Sequence, residues 1–128
     1  MRIVVLGGVG VIADSVMNAA AGYPLTGSAT RLAGADRFRT SVAISQSAYG
    51  SGGSDTVFVA TGTNFPDGLA GGAVAALVPG PILLATSTQL PGSIAAELGR
   101  LNPDTVFVIG GIGAISDNVV IAMDAAIP

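Results

Sequence analysis

Three of the chain's five arginines crowd into one stretch, RLAGADRFR at 31–39, which carries Arg31, Asp36, Arg37 and Arg39. A guanidinium presents a planar fork of donors that matches phosphate and carboxylate oxygens, so this cluster suits an anionic polymer. The same residues also have structural uses. Asp36 is placed to cap a following helix, and one arginine can pair with it or with a nearby carbonyl. Arg39, one position past RLAGADRF, is the freer of the three. Two further turns are rich in hydroxyl and amide groups. ATGTNFPDGLAGG at 60–72 carries Thr61, Thr63, Asn64 and Asp67 at the end of a predicted strand, where open parallel sheets bind ligands. Asn64 and Asp67 equally have the spacing of a capping box. ATSTQLP at 85–91 adds Thr86, Ser87 and Thr88, which are also ordinary turn residues. Beside arginines, such groups are the usual partners of sugar hydroxyls and phosphates. The expected ligand contacts are therefore Arg31, Arg37, Arg39, Thr61, Asn64, Asp67, Thr86 and Ser87.

Catalysis fits these residues poorly. The chain has no His and no Cys, which removes the commonest general base, the commonest zinc ligand and any thiolate nucleophile. Asp67 lacks a second clustered carboxylate and an evident nucleophile. Neither a metal nor a cofactor is implied. One alternative is a Rossmann-like nucleotide-binding enzyme. Gly8-Val9-Gly10-Val11-Ile12-Ala13, directly after a strand, has the form of a dinucleotide fingerprint. That fingerprint needs a second strand ending in Asp or Glu to hold the ribose, and 21–35 reads as a loop without an acid. The plainer reading is a tight strand-to-helix turn that glycine permits.

The elements that must position these residues follow from the hydrophobic pattern. Half the residues are hydrophobic and 10% are charged, so a packed core is expected in a single domain. Four β-like runs stand out: RIVVL at 2–6, TVFVA at 56–60, PILLA at 81–85 and TVFVI at 105–109. Helical patterns lie between them at 36–49, 65–78, 91–101 and 116–126, with Ile94, Leu98 and Leu101 on one stripe. Strands alternating with helices imply an α/β fold: a small parallel sheet with helices on both faces. A net charge of −3 argues against nucleic acid as a partner. The apolar runs are too short to form a transmembrane segment. Met1-Arg2 leads straight into a strand without a cleavage-site pattern, so export would be directed by a longer parent chain.

An internal repeat organises the whole sequence. LGGVGVIADSVMNAA from Leu6 recurs as IGGIGAISDNVVIAM from Ile109, with Gly7, Gly8, Gly10, Ile12, Asp14, Val16 and Ala19 matching Gly110, Gly111, Gly113, Ile115, Asp117, Val119 and Ala122. The stretch 2–22 thus repeats 105–126. The 128 residues hold one full period, about 31–128, plus the overlap.

RLAGADRF, VFVATGTNFPDGLAGG, GPILLATSTQLP and LNPDTVFVIGGIGAIS follow one another in an order that resembles the cell wall binding repeat 2 family. The resemblance covers nearly the whole chain. It implies Rossmann-like or Toprim-like layering in one repeat unit of a pseudo-trimeric architecture. It further implies a non-catalytic module that anchors a surface protein to the cell wall of Gram-positive-type bacteria. The ligand implied is an anionic polysaccharide or teichoic-acid-like polymer. Further copies of the repeat are the implied protein partners, as tandem copies or a homotrimer. A purely structural trimerisation module is the other alternative.

Overall fold

The computed structural model describes residues 1–23, 27–63, 72–73 and 75–128. Among these residues, five strands and four helices are defined in chain order. They are β1 (Arg2–Leu6), α1 (Asp14–Ala21), β2 (Ser28–Leu32), α2 (Arg37–Ala48), β3 (Thr56–Thr61), β4 (Ile82–Ala85), α3 (Gly92–Leu101), β5 (Thr105–Ile109) and α4 (Asp117–Asp124). The helix expected at 65–78 falls largely outside the described residues.

Every strand pairing is parallel, as the alternation of strands and helices requires. The strands form two sheets: a three-stranded sheet in the order β4-β3-β5 and a two-stranded sheet β1-β2. This corrects the sequence expectation in two ways. The strands do not share one sheet, and β2 lies inside the stretch read as a loop. Ser28–Leu32 has no run of β-branched residues to advertise it. It is extended because β1 offers it a ladder, in register from Arg2 opposite Ser28 to Leu6 opposite Leu32.

The core forms on β3 and β4. Side chains alternate along a strand, so Val57 and Val59 of β3 and Leu83 and Ala85 of β4 share a face. That face is covered by Ile94, Leu98 and Leu101 of α3, by Val119 and Met123 of α4, and by Ile115. All are essentially excluded from water, and each large side chain buried this way contributes about 1.5–3 kcal/mol. Pro91 precedes α3, and Asn102 ends it in the left-handed conformation. Gly7 and Gly110, the paired glycines of the repeat, both take positive φ, 114° and 108°, where β1 and β5 turn out of the sheet. The repeat in the sequence is therefore a repeat in backbone conformation.

Candidate functional site

In a parallel sheet all strands end on the same side, so the turns after β3 and β4 emerge together. α2 brings the arginine motif to this edge. Its first turn is fixed by Asp36, whose Oδ1 accepts from the Arg39 backbone N–H at 2.7 Å, the N-cap expected from sequence. Thr40 closes the same turn: its hydroxyl donates to the Asp36 carbonyl and accepts from the Gly34 N–H. Gly34 lies so close to the helix that an added Cβ would sit 2.4 Å from the Arg39 Cβ. Only glycine lets the loop after Leu32 fold onto the start of α2.

The three arginines of the motif have different fates. Arg31 donates to the Gly7 carbonyl at 2.6 Å and to Asp14 Oδ1 at 3.0 Å, tying β2 to the β1–α1 turn. Arg37 donates to the Gly62 carbonyl and so links α2 to the end of β3. Arg39 is exposed and makes no side-chain hydrogen bond or ion pair among the described residues. Of the three, it is the cation left free for an external anion.

Arg37 also lines a cleft of about 590 Å³. One wall is the glycine turn of Gly7, Gly8 and Gly10; the opposite wall is Gly34–Arg37 with Thr40 and Ser41. Ile82 and Leu84 of β4 line it as well. The described residues of the hydroxyl-rich turns do not line this cleft. Thr61 is buried, with its hydroxyl 2.8 Å from that of Thr63, which is exposed. Thr86 closes its own turn, accepting from the Gln89 N–H and donating to the Gln89 carbonyl. The Ser87 carbonyl accepts from the Ser116 N–H, joining the β4 turn to the start of α4. Asn64 and Asp67 lie outside the described residues.

The glycine turn at 8–13 now has a second strand, β2, beyond it. That strand ends at Leu32, and the next acid, Asp36, is occupied as a helix cap. The acid that would hold a ribose is absent from the strand end.

Sequence reasoning missed one polar cluster. Glu97 on α3 is 1% exposed. Its carboxylate accepts from the Ser45 hydroxyl at 2.6 Å, from Gln46 Nε2 at 3.1 Å, and from Arg100 Nε and Nη2 at 2.8 and 2.7 Å. Burial raises the pKa of this acid, but the hydrogen bonds from Arg100, Ser45 and Gln46 outweigh it, and the carboxyl falls below its ordinary value. Arg100 also reaches the Tyr49 carbonyl at 2.9 Å and the Gly50 carbonyl. A fully bonded carboxylate has no lone pair positioned for catalysis, and the cluster joins α2 to α3. The i,i+3 spacing of Glu97 and Arg100 was a legible signal for half of it.

Comparison with known proteins identifies relatives of this chain. The profile of the family described as "Cell wall binding domain 2 (CWB2)" matches residues 31–120. The N-acetylmuramoyl-L-alanine amidase LytC of Bacillus subtilis (strain 168) is 30% identical over 116 residues, which is 91% of this chain and 22% of the amidase. Cwp6 from Clostridium difficile superposes with a TM-score of 0.71 at 40% identity, covering 74% of this chain and 15% of that one. Cwp8 from the same organism gives a TM-score of 0.80 over 98% of this chain and 20% of its own; at 21% identity this is a likeness of fold. The chain thus spans about a fifth of each relative. The family profile covers both the arginine motif and the strands that position it, and the chain belongs to the Cell wall binding domain 2 family.

Proposed function

We propose that this chain is a non-catalytic module that holds a surface protein on the cell wall by binding an anionic wall polymer. The family match over 31–120 carries the reading, because that span opens on the arginine motif and includes α2 and the β3 and β4 turns. Arg39 is the proposed primary contact, with Arg37 beside it on the cleft wall. Ser87 and the Asn64–Asp67 turn are proposed as neighbouring polar contacts. Arg31, Thr61 and Thr86 are proposed to act by holding this surface in place, since each is already engaged within the protein. The non-catalytic reading is supported by the lack of His and Cys and by the full occupation of Glu97. A place at the cell surface is part of the same proposal and is supported by the family match. No helix among the described residues is long and apolar enough to cross a membrane.

The test is cosedimentation with purified Gram-positive cell walls. The protein should pellet with intact walls and stay in solution with walls whose phosphate-linked polymer has been stripped by hydrofluoric acid. Arg39→Glu should lower pelleting about tenfold without moving the melting temperature, because the Arg39 side chain makes no hydrogen bond or ion pair among the described residues. Equal pelleting on stripped walls would remove the polymer from the proposal.

A further inference from the structure

The three arginines of the motif are fixed in two different ways. Arg31 and Arg37 are held by their guanidinium groups, which donate to the Gly7 and Gly62 carbonyls. Arg39 is held at its root instead. Its backbone N–H donates to Asp36 Oδ1 at 2.7 Å. Gly34 packs so tightly against it that an added Cβ would lie 2.4 Å from the Arg39 Cβ and 2.5 Å from its carbonyl carbon. Beyond that root the side chain is exposed and makes no hydrogen bond or ion pair among the described residues. An arginine whose departure from the backbone is set in advance has less freedom to lose on meeting a ligand.

One side chain maintains the contact between Gly34 and Arg39. The Thr40 hydroxyl donates to the Asp36 carbonyl at 2.8 Å and accepts from the Gly34 N–H at 3.0 Å, so it spans the loop from Gly34 to Asp36. The bond to Asp36 also has an electrostatic effect. Asp36 and Arg39 are three residues apart, the separation at which Glu97 and Arg100 form an ion pair at 2.7 Å. Asp36 and Arg39 form none: the Asp36 carboxylate is turned onto the helix end as its N-cap. While Thr40 holds the Asp36 backbone, the carboxylate stays on the cap and the Arg39 charge stays available.

We propose that Thr40 is a positioning residue for polymer capture: its hydroxyl, shared by Gly34 and Asp36, fixes the root of Arg39 and keeps its guanidinium unpaired. This rests on the reading of Arg39 as the polymer contact. Thr40 itself needs no contact with the ligand, since its hydroxyl both donates and accepts within the protein. Thr40→Ser keeps the hydroxyl and therefore the clamp. Thr40→Val keeps the shape but leaves the Gly34 N–H without that acceptor, which releases the loop from Arg39.

The test is a double-mutant cycle read by titration with intact cell walls. Thr40→Val should weaken binding about fivefold in the parent, and not at all where Arg39→Ala is already present. Thr40→Ser should bind as the parent does. A loss of equal size in both backgrounds would mean that Thr40 serves only the fold, and it overturns the proposal. A Thr40→Val protein that binds like the parent overturns it too. Arg39→Ala alone separates this inference from the reading beneath it. If Arg39→Ala leaves binding unchanged, the polymer contact lies elsewhere and both fall; if it weakens binding while Thr40→Val does not, only the positioning role falls. Should Thr40→Val fail to fold, Gly34→Ala takes its place in the same cycle, because its Cβ forces the loop away from Arg39.

Discussion

At the scale of single residues, the charged groups divide into those that hold the fold and those that face outward. Glu97 is the clearest of the first kind, because a buried carboxylate is tolerated only when its oxygens are fully bonded. Glu97→Gln removes the charge that Arg100, Ser45 and Gln46 address, and should cost about 2 kcal/mol, read as a lower urea midpoint. The pH dependence follows from the lowered pKa. Glu97 contributes its full stability above the ordinary carboxyl value of 4.5 and loses it as pH falls below that, through the depressed folded value. Acid unfolding of Glu97→Gln should therefore be flatter below pH 4.5 than that of the parent. Arg31, Arg37 and Arg39 were legible as a cluster, since composition and spacing alone put them together. Their different roles were not. Which arginine is spent on Gly7, which on Gly62 and which is free depends on contacts across about 24 residues or more of chain.

At the scale of elements, the long-period signals carried furthest. The stripe of Ile94, Leu98 and Leu101 is buried as its spacing predicts, and Asp36, Pro91 and Ser116 stand at the starts of helices that were expected to begin beside them. Leu98→Ala should cost about 2–5 kcal/mol, because Leu98 is wholly buried between α3 and the sheet and neighbouring elements limit collapse; equilibrium denaturation measures it. β2 was not legible. Its residues, Ser-Ala-Thr-Arg-Leu, hold a single β-branched side chain and no apolar run, and its conformation is imposed by β1 rather than by its own propensity. The Glu97 cluster was half hidden for a related reason. Ser45 and Gln46 meet Glu97 only after α2 packs on α3, a contact no local pattern encodes. The division into two sheets was equally invisible, since each strand reads alike whichever sheet it joins.

At the scale of the whole molecule, the repeat gives the chain two unequal ends. Among the described residues, one end presents a helix without a buried face, and the other a strand edge without a neighbouring strand. Solvent-exposed apolar groups cluster accordingly: Val9, Val11 and Val16 at the first copy, and Ile112 and Ile121 at the second. Exposed edges and apolar faces of this kind associate when complementary. Sedimentation should show a mass that rises with protein concentration as these apolar groups associate; a concentration-independent monomer mass would show that single periods do not recognise one another in trans.

The parallel pairing of β1 with β2 has a further, mechanical meaning. A pull entering at Met1 reaches the N-terminal end of β1, while β2 passes the load onward from its C-terminal end at Leu32 into α2. With the strands parallel, these forces act along the ladder in opposite directions. The hydrogen bonds are therefore sheared together rather than unzipped one at a time, and the bonds of Arg31 to Gly7 and Asp14 sit at the end where the load leaves. A small two-stranded sheet can in this way resist tension along the chain better than its size suggests.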